Sequence, residues 1–132
     1  MPTPEQSVVA KMFAAFAQKN VDEALTTVSS DSLWIYHGTQ KRPSIRYVGQ
    51  RGVRQFFETN FSTRQTEYFR VTSLLQDGNT VIALGEEKFT VTGQPEALAQ
   101  KWVQVYTIEG GLITRMEEFA TSAADADYGV VD

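Results

Sequence analysis

The chain has 132 residues, 42% of them apolar and 11% aromatic, enough for one compact domain with a real core. Its net charge of −4 argues against a dedicated nucleic-acid binder, and zero cysteines exclude disulfides and thiolate–zinc sites. No apolar run approaches the length of a membrane span.

The first residues, Met1-Pro2-Thr3-Pro4-Glu5, lack a basic segment followed by an apolar one. No secretory leader is expected, and the expected location is cytoplasmic. Thr3, Pro4 and Gln6 spell a capping box with proline at the first helical position. Val9, Met12, Phe13 and Phe16 follow at helical spacing and form one apolar stripe. Asn20 suits the left-handed conformation that ends a helix and also suits the cap of a second, short one, with Glu23 three residues on and Ala24, Leu25 and Val28 on its buried side. Ser29-Ser30-Asp31 reads as its close.

Leu33 to His37 is rich in aromatic and β-branched side chains and predicts a strand. Gly38 to Pro43 is polar and basic, hence a loop, and Ile45 to Val48 is a second short extended piece. Gly49 and Gly52 frame a turn into a helix whose buried face is Val53, Phe56, Phe57 and Phe61. The segment 41–70 holds seven basic residues against Glu58 and Glu67, read as a solvated helix face and loop rather than an anion site.

From Glu67 the apolar period changes to two. Strands are expected near 66–76, 80–92, 97–109 and 112–121. They turn at Asp77-Gly78-Asn79, Gly93-Gln94-Pro95 and Glu109-Gly110-Gly111. In the third of these strands Trp102, Gln104, Tyr106 and Ile108 share one face and Val103, Val105 and Thr107 the other. Neither face is charged, so both call for cover, the inner one from the helices and the outer one from a second copy in a homodimer. Ser122 to Asp132 is a small, acidic, aperiodic tail, and no second domain or repeat is visible.

The whole chain resembles the SnoaL-like branch of the NTF2-like family, related to polyketide cyclases and ketosteroid isomerases. The residues that carry the resemblance are Trp34 before Gly38, Tyr47-x-Gly49-x-x-Gly52-Val53-x-x-Phe56-Phe57, and Gly110-Gly111-x-Ile113-x-Arg115-x-x-Glu118-Phe119. The resemblance covers about residues 4–121. It implies an α+β, cystatin-like cone, with three N-terminal helices packed on a strongly curved antiparallel β-sheet around a hydrophobic pocket. Where a ketosteroid isomerase would carry its base and its oxyanion donors, this chain has Tyr36, Phe13 and Gln104. The Asp-Arg-Asp relay of an epoxide hydrolase cannot be assembled from it. The family does not fix the activity, since one fold hosts many functions.

By the same resemblance Glu118 faces the cavity, where burial would raise its pKa toward a range useful for proton abstraction. The expected catalytic set is Glu118 as base or acid, Gln104 and Tyr36 as hydrogen-bond donors, and His37, the sole histidine, as a proton relay. Tyr36 and His37 point opposite ways on a regular strand, so only one can line the cavity without a bulge. Trp34, Phe13, Phe16, Phe56, Trp102, Tyr106 and Met116 are expected to bind the ligand. Glu86 and Glu87 interrupt an apolar strand. One must face inward unless Gly85 marks a bulge, and Lys88 is the nearest candidate for an ion pair. One histidine and scattered carboxylates give no metal-ligand spacing, and Gly49-x-x-Gly52 is too short for a phosphate loop, so neither metal nor cofactor is expected.

The function expected is cofactor-independent acid–base chemistry on a small apolar or aromatic molecule, a cyclisation, isomerisation or dehydration. The alternative is a non-catalytic binding or dimeric assembly module. A transport-factor-like adaptor has no specific support in the residues.

Overall fold

The fold follows from one helical layer laid against one face of a bent sheet. The computed structural model describes residues 2–132. Helix α1 is Pro4–Ala17, α2 Val21–Leu25 and α3 Gly49–Thr63. The strands are β1 Val28–Tyr36, β2 Ile45–Val48, β3 Arg64–Asp77, β4 Thr80–Val91, β5 Leu98–Glu109 and β6 Leu112–Ser122. They form one six-stranded, curved, unclosed sheet in the order β2-β1-β6-β5-β4-β3. The pairs are antiparallel except β1 with β6, which run parallel.

Local chemistry starts and stops the helices. Thr3 Oγ1 accepts from the Gln6 amide at 3.1 Å, and Gln6 Oε1 accepts from the Thr3 amide at 3.1 Å, so the capping box closes. The left-handed residue that ends α1 is Lys19, at φ 55°, rather than Asn20. Asn20 instead caps α2, its side chain accepting from the Glu23 amide at 3.1 Å. β1 begins at Val28 and takes in the Ser-Ser-Asp segment that the sequence suggested as a close; its pairing with β6 shifts register between Val28 and Leu33, and within that stretch Ser32 is fully buried. Its hydroxyl donates to the Ile113 carbonyl at 2.9 Å and accepts from Trp34 Nε1 at 3.1 Å.

Two contacts fix the helical layer over the sheet. Gln50 Nε2, in the first turn of α3, donates to the carbonyls of Leu25 at 3.2 Å and Val28 at 2.7 Å. Val9, Met12, Val53 and Phe57 then bury completely or nearly so against Trp34, Tyr106, Ile113 and Met116. The β5–β6 reversal needs two consecutive residues at positive φ, and Gly110 and Gly111 supply 59° and 76°.

β4 keeps its register with β5 through Gly85, which pairs with Trp102. The irregularity lies opposite, in β3, between Val71 and Ser73. Gly85 is there for space: a Cβ would meet the Trp102 ring at 2.1 Å and the Arg70 carbonyl at 2.5 Å. The inward set on β4 is therefore Val81, Ala83, Gly85, Glu87 and Phe89. Tail residues stay near the sheet at first: the Ala123 amide donates to the Ala99 carbonyl at 2.8 Å, and Asp127 lies 3.5 Å from Lys41. Among the described residues no helix is long and apolar enough to cross a membrane.

Gly85→Ala forces either Trp102 or the β3 backbone to move, so the variant should lose about 3 kcal/mol of stability. A urea-unfolding midpoint equal to that of the native chain would show that the space beneath Trp102 is not needed.

Candidate active site

Strand parity delivers a polar group to an aromatic chamber. On the face under the helices Tyr36 of β1 pairs with Glu118 of β6, and Glu118 pairs with Gln104 of β5. Gln104 pairs in turn with Ala83 of β4, and Glu87 lies four residues further along the same face. A cavity of about 70 Å³ remains between these strands and the helices. Its walls include Trp34, Phe13, Phe16, Phe56, Tyr106 and Tyr36, all named from the sequence as site residues.

The rings fill most of the chamber by packing on one another. Trp34 meets Phe56 and Phe57 edge-on at 5.3 Å, and Tyr47 meets Phe56 at 5.3 Å. Phe16 packs on Phe69 at 5.0 Å. Trp102 and Met116, expected as ligand contacts, lie beneath the lining and do not reach the cavity. Trp102 is used up in stacks with Phe69 at 5.2 Å and Phe13 at 6.2 Å, and Met116 is fully buried core.

Glu118 faces inward and is 6% exposed. Gln104 Nε2 donates to Glu118 Oε1 at 2.5 Å, while Gln104 Oε1 accepts from the Tyr106 hydroxyl at 2.5 Å. Burial raises the pKa of Glu118, opposed by that hydrogen bond and by the positive field of Arg64. The Tyr106 hydroxyl is pushed far above its ordinary range, by burial first and by the Glu118 charge second. It therefore stays a neutral donor. Gln104 is thus committed on both sides of its amide, and its part is to hold Glu118 rather than a ligand oxygen.

His37 does not join this group. Beyond the end of β1 the parity turns it to the outer face of the sheet, where it stacks on Phe119 at 4.4 Å. Its Nε2 lies 3.2 Å from Glu117. Glu117 is bound chiefly by Arg115, which with His37 holds its pKa below the usual carboxylate range. The proposed relay through His37 is therefore corrected: no path on one face of the strand links it to Glu118.

Glu87 is the inward residue of the Glu86–Glu87 pair, and Lys88 is not its partner. Arg64, at the start of β3, lies 3.3 Å away and rests over the Phe89 ring at 4.1 Å. Lys88 pairs with Glu67 and Arg70 with Glu86 at the surface. Burial, then the negative charge of Glu118, raises the Glu87 pKa to about 7 against the pull of Arg64. Both carboxyls are thus held above the ordinary carboxylate range, burial being the first cause in each. The signal for Glu87 was its place in an alternating strand. Arg64, 23 residues away, could not be assigned to it without the register of β3 on β4.

Two polar groups at the cavity have no partner. They are the Tyr36 hydroxyl, whose pKa burial and Glu118 raise, and Arg42 Nε. Gln100 lies close to Tyr36, but Gln100 Oε1 is also unpaired. Among the described residues no three His, Cys, Asp or Glu side chains gather where they could hold a metal ion.

The raised Glu87 pKa has a definite sign for stability. The folded chain binds the proton more tightly than the unfolded one, so this group's contribution is full below its unfolded pKa of about 4.5 and is lost as pH rises to about 7. Glu87→Gln removes that loss. Its stability relative to the native chain should rise by roughly 3 kcal/mol between pH 4.5 and pH 7.5. Thermal unfolding at the two pH values measures this, and an offset equal at both would mean that Glu87 titrates normally.

The SnoaL-like domain model matches residues 9–116 of the chain. No curated protein sequence matches it. Among solved structures, an NTF2-like protein from Burkholderia xenovorans is 18% identical, with a TM-score of 0.79 over 89% of this chain and 88% of that one. A protein from Catenulispora acidiphila with a ketosteroid isomerase-like fold, in complex with trimethylamine, is 15% identical, with a TM-score of 0.72 over 85% and 83%. An LEH-like epoxide hydrolase from M. tuberculosis is 13% identical, with a TM-score of 0.68 over 91% and 83%. At these identities the likeness is one of fold.

Proposed function

We propose, because the chain belongs to the SnoaL-like domain family, that its pocket performs acid–base catalysis without a cofactor on a small, largely apolar or aromatic molecule. The reaction class is a cyclisation, isomerisation or dehydration that begins with loss of a proton from carbon. The observation that carries this reading is the buried chain Tyr106–Gln104–Glu118, with a second carboxyl, Glu87, on the same face. A hydrogen-bonded carboxylate in a nearly dry chamber is a stronger base than one in water.

Glu118 is the base. It removes a proton from the carbon next to a ligand carbonyl, and the electron pair moves onto the carbonyl oxygen. The free hydroxyl of Tyr36 is placed to donate to that oxygen, with Arg42 Nε at the same cavity. Gln104 and Tyr106 position Glu118, and Glu87 with Arg64 sets the charge state of the pair. The cysteine-free chain suits the reducing cytoplasm, where we place this activity.

The outer face of the sheet supports a homodimer as the working form. Phe119 is 47% and Leu75 52% exposed there, beside the half-buried Val103 and Val105. Among the described residues none buries these side chains, and a second copy of the same face would. Phe119→Glu should convert a dimer to a monomer in sedimentation velocity, and an unchanged sedimentation coefficient would remove this face from the interface.

One observation favours a non-catalytic binding module instead: the chamber is only about 70 Å³. Proton exchange separates the two readings without knowledge of the natural substrate. In D₂O the native chain should speed deuterium uptake at the α-carbon of simple ketones, followed by NMR. Glu118→Gln should lower that rate about 10²–10⁴-fold with an unchanged circular dichroism spectrum. Equal rates for both proteins would leave only the binding module.

A further inference from the structure

The inner cavity is too small for the compact aromatic guest that its ring-lined walls suggest. A cavity of about 150 Å³ lined by apolar side chains takes up benzene, and the space beside Glu118 is about 70 Å³. Only a head of a few heavy atoms fits there. A second cavity, of about 300 Å³, adjoins it. Phe16, Asn60, Arg64, Phe69 and Glu87 belong to the walls of both.

The two chambers differ in character. The outer one is floored by aromatic rings, with Phe16 5.2 Å from Phe61 and 5.0 Å from Phe69. Its charged members Lys19 and Glu67 are exposed, so they form a rim rather than a binding point. The inner one holds the carboxyl of Glu118 and two unpartnered groups able to donate hydrogen bonds, the Tyr36 hydroxyl and Arg42 Nε. The wall between them carries the Arg64–Glu87 pair.

We infer that the two cavities form one site for an elongated ligand. Its carbonyl-type, hydrogen-bond-accepting head sits in the inner chamber, and an unbranched apolar tail passes Arg64 and Glu87 into the outer one. This rests on the pocket being the functional site, though not on Glu118 acting as a base. It replaces the compact aromatic guest with a long one, because rings that already pack on each other leave no slot for another ring. The tail recovers the hydrophobic contact that the inner chamber is too small to provide.

Methyl ketones of increasing length test this by NMR shift titration of the native chain. From 2-hexanone to 2-nonanone, affinity should rise about three- to fourfold per added methylene. Ala17→Trp and Thr66→Trp fill the outer chamber from opposite walls at exposed positions. Each should weaken 2-nonanone at least about tenfold, the free energy of two buried methylenes, and leave 2-butanone unchanged. Val48 borders neither cavity and is 70% exposed, so Val48→Trp should leave 2-nonanone affinity intact. Affinity independent of chain length, or a loss of 2-nonanone in Val48→Trp as large as in Ala17→Trp and Thr66→Trp, would overturn the two-chamber site. Glu118→Gln should keep the full chain-length dependence, so a failed catalytic reading and a failed two-chamber site give different results.

Discussion

The structure turns on a carboxylate that water does not solvate. Placing Glu118 under the helices costs several kcal/mol unless other groups take over from water. Here one amide does most of that work: Gln104 donates to Glu118 and accepts from Tyr106, so three side chains on two neighbouring strands are satisfied by two hydrogen bonds. Among the described residues no cation lies within ion-pair distance of Glu118, and Arg64 reaches it only through its field. The price of that burial is a carboxyl that keeps its proton longer than usual, which makes it useful for chemistry.

The topology makes this placement possible. β1 is inserted between β2 and β6 and runs parallel to β6, which puts Tyr36 directly beside Glu118. The register from Glu118 through Gln104 to Ala83, clear of the β5–β6 shift between Thr107 and Ile108, then carries Gln104 and Glu87 to the same face. A one-residue slip of β6 would turn Glu118 outward and Glu117 or Phe119 inward, and a slip of β5 would exchange Gln104 for Val103 or Val105. Glycine at position 85 protects that register, because it lets Trp102 lie flat on β4 without a bulge in that strand.

Much of the architecture was legible because its signals are local. The Thr3 and Asn20 caps and the Gly110–Gly111 reversal each depend on a few adjacent residues, whereas the inward direction of Glu118 came from the family resemblance. What could not be read depends on distant partners. The sequence offers Lys88 to Glu87, whereas the register of β3 supplies Arg64. It offers Gln104 as a free donor, whereas Glu118 and Tyr106 occupy both ends of its amide. His37 and Tyr36 were bound to diverge, and only the pairing of β1 with β6 says which one meets Glu118. Cavity size was beyond reach altogether, since it is the remainder left after the rings of both layers have packed. Family membership adds the fold and a range of chemistries, and the residues inside the chamber decide among them.

The account's central claim is that Glu118 and Glu87 are two desolvated, mutually sensitive carboxyls. Carbon-13 NMR titration of side-chain-labelled glutamate reads both directly. The account predicts two resonances that titrate above the usual carboxylate range, the one from Glu87 near pH 7. Both resonances moving together near 4.5, like the surface glutamates, would contradict it.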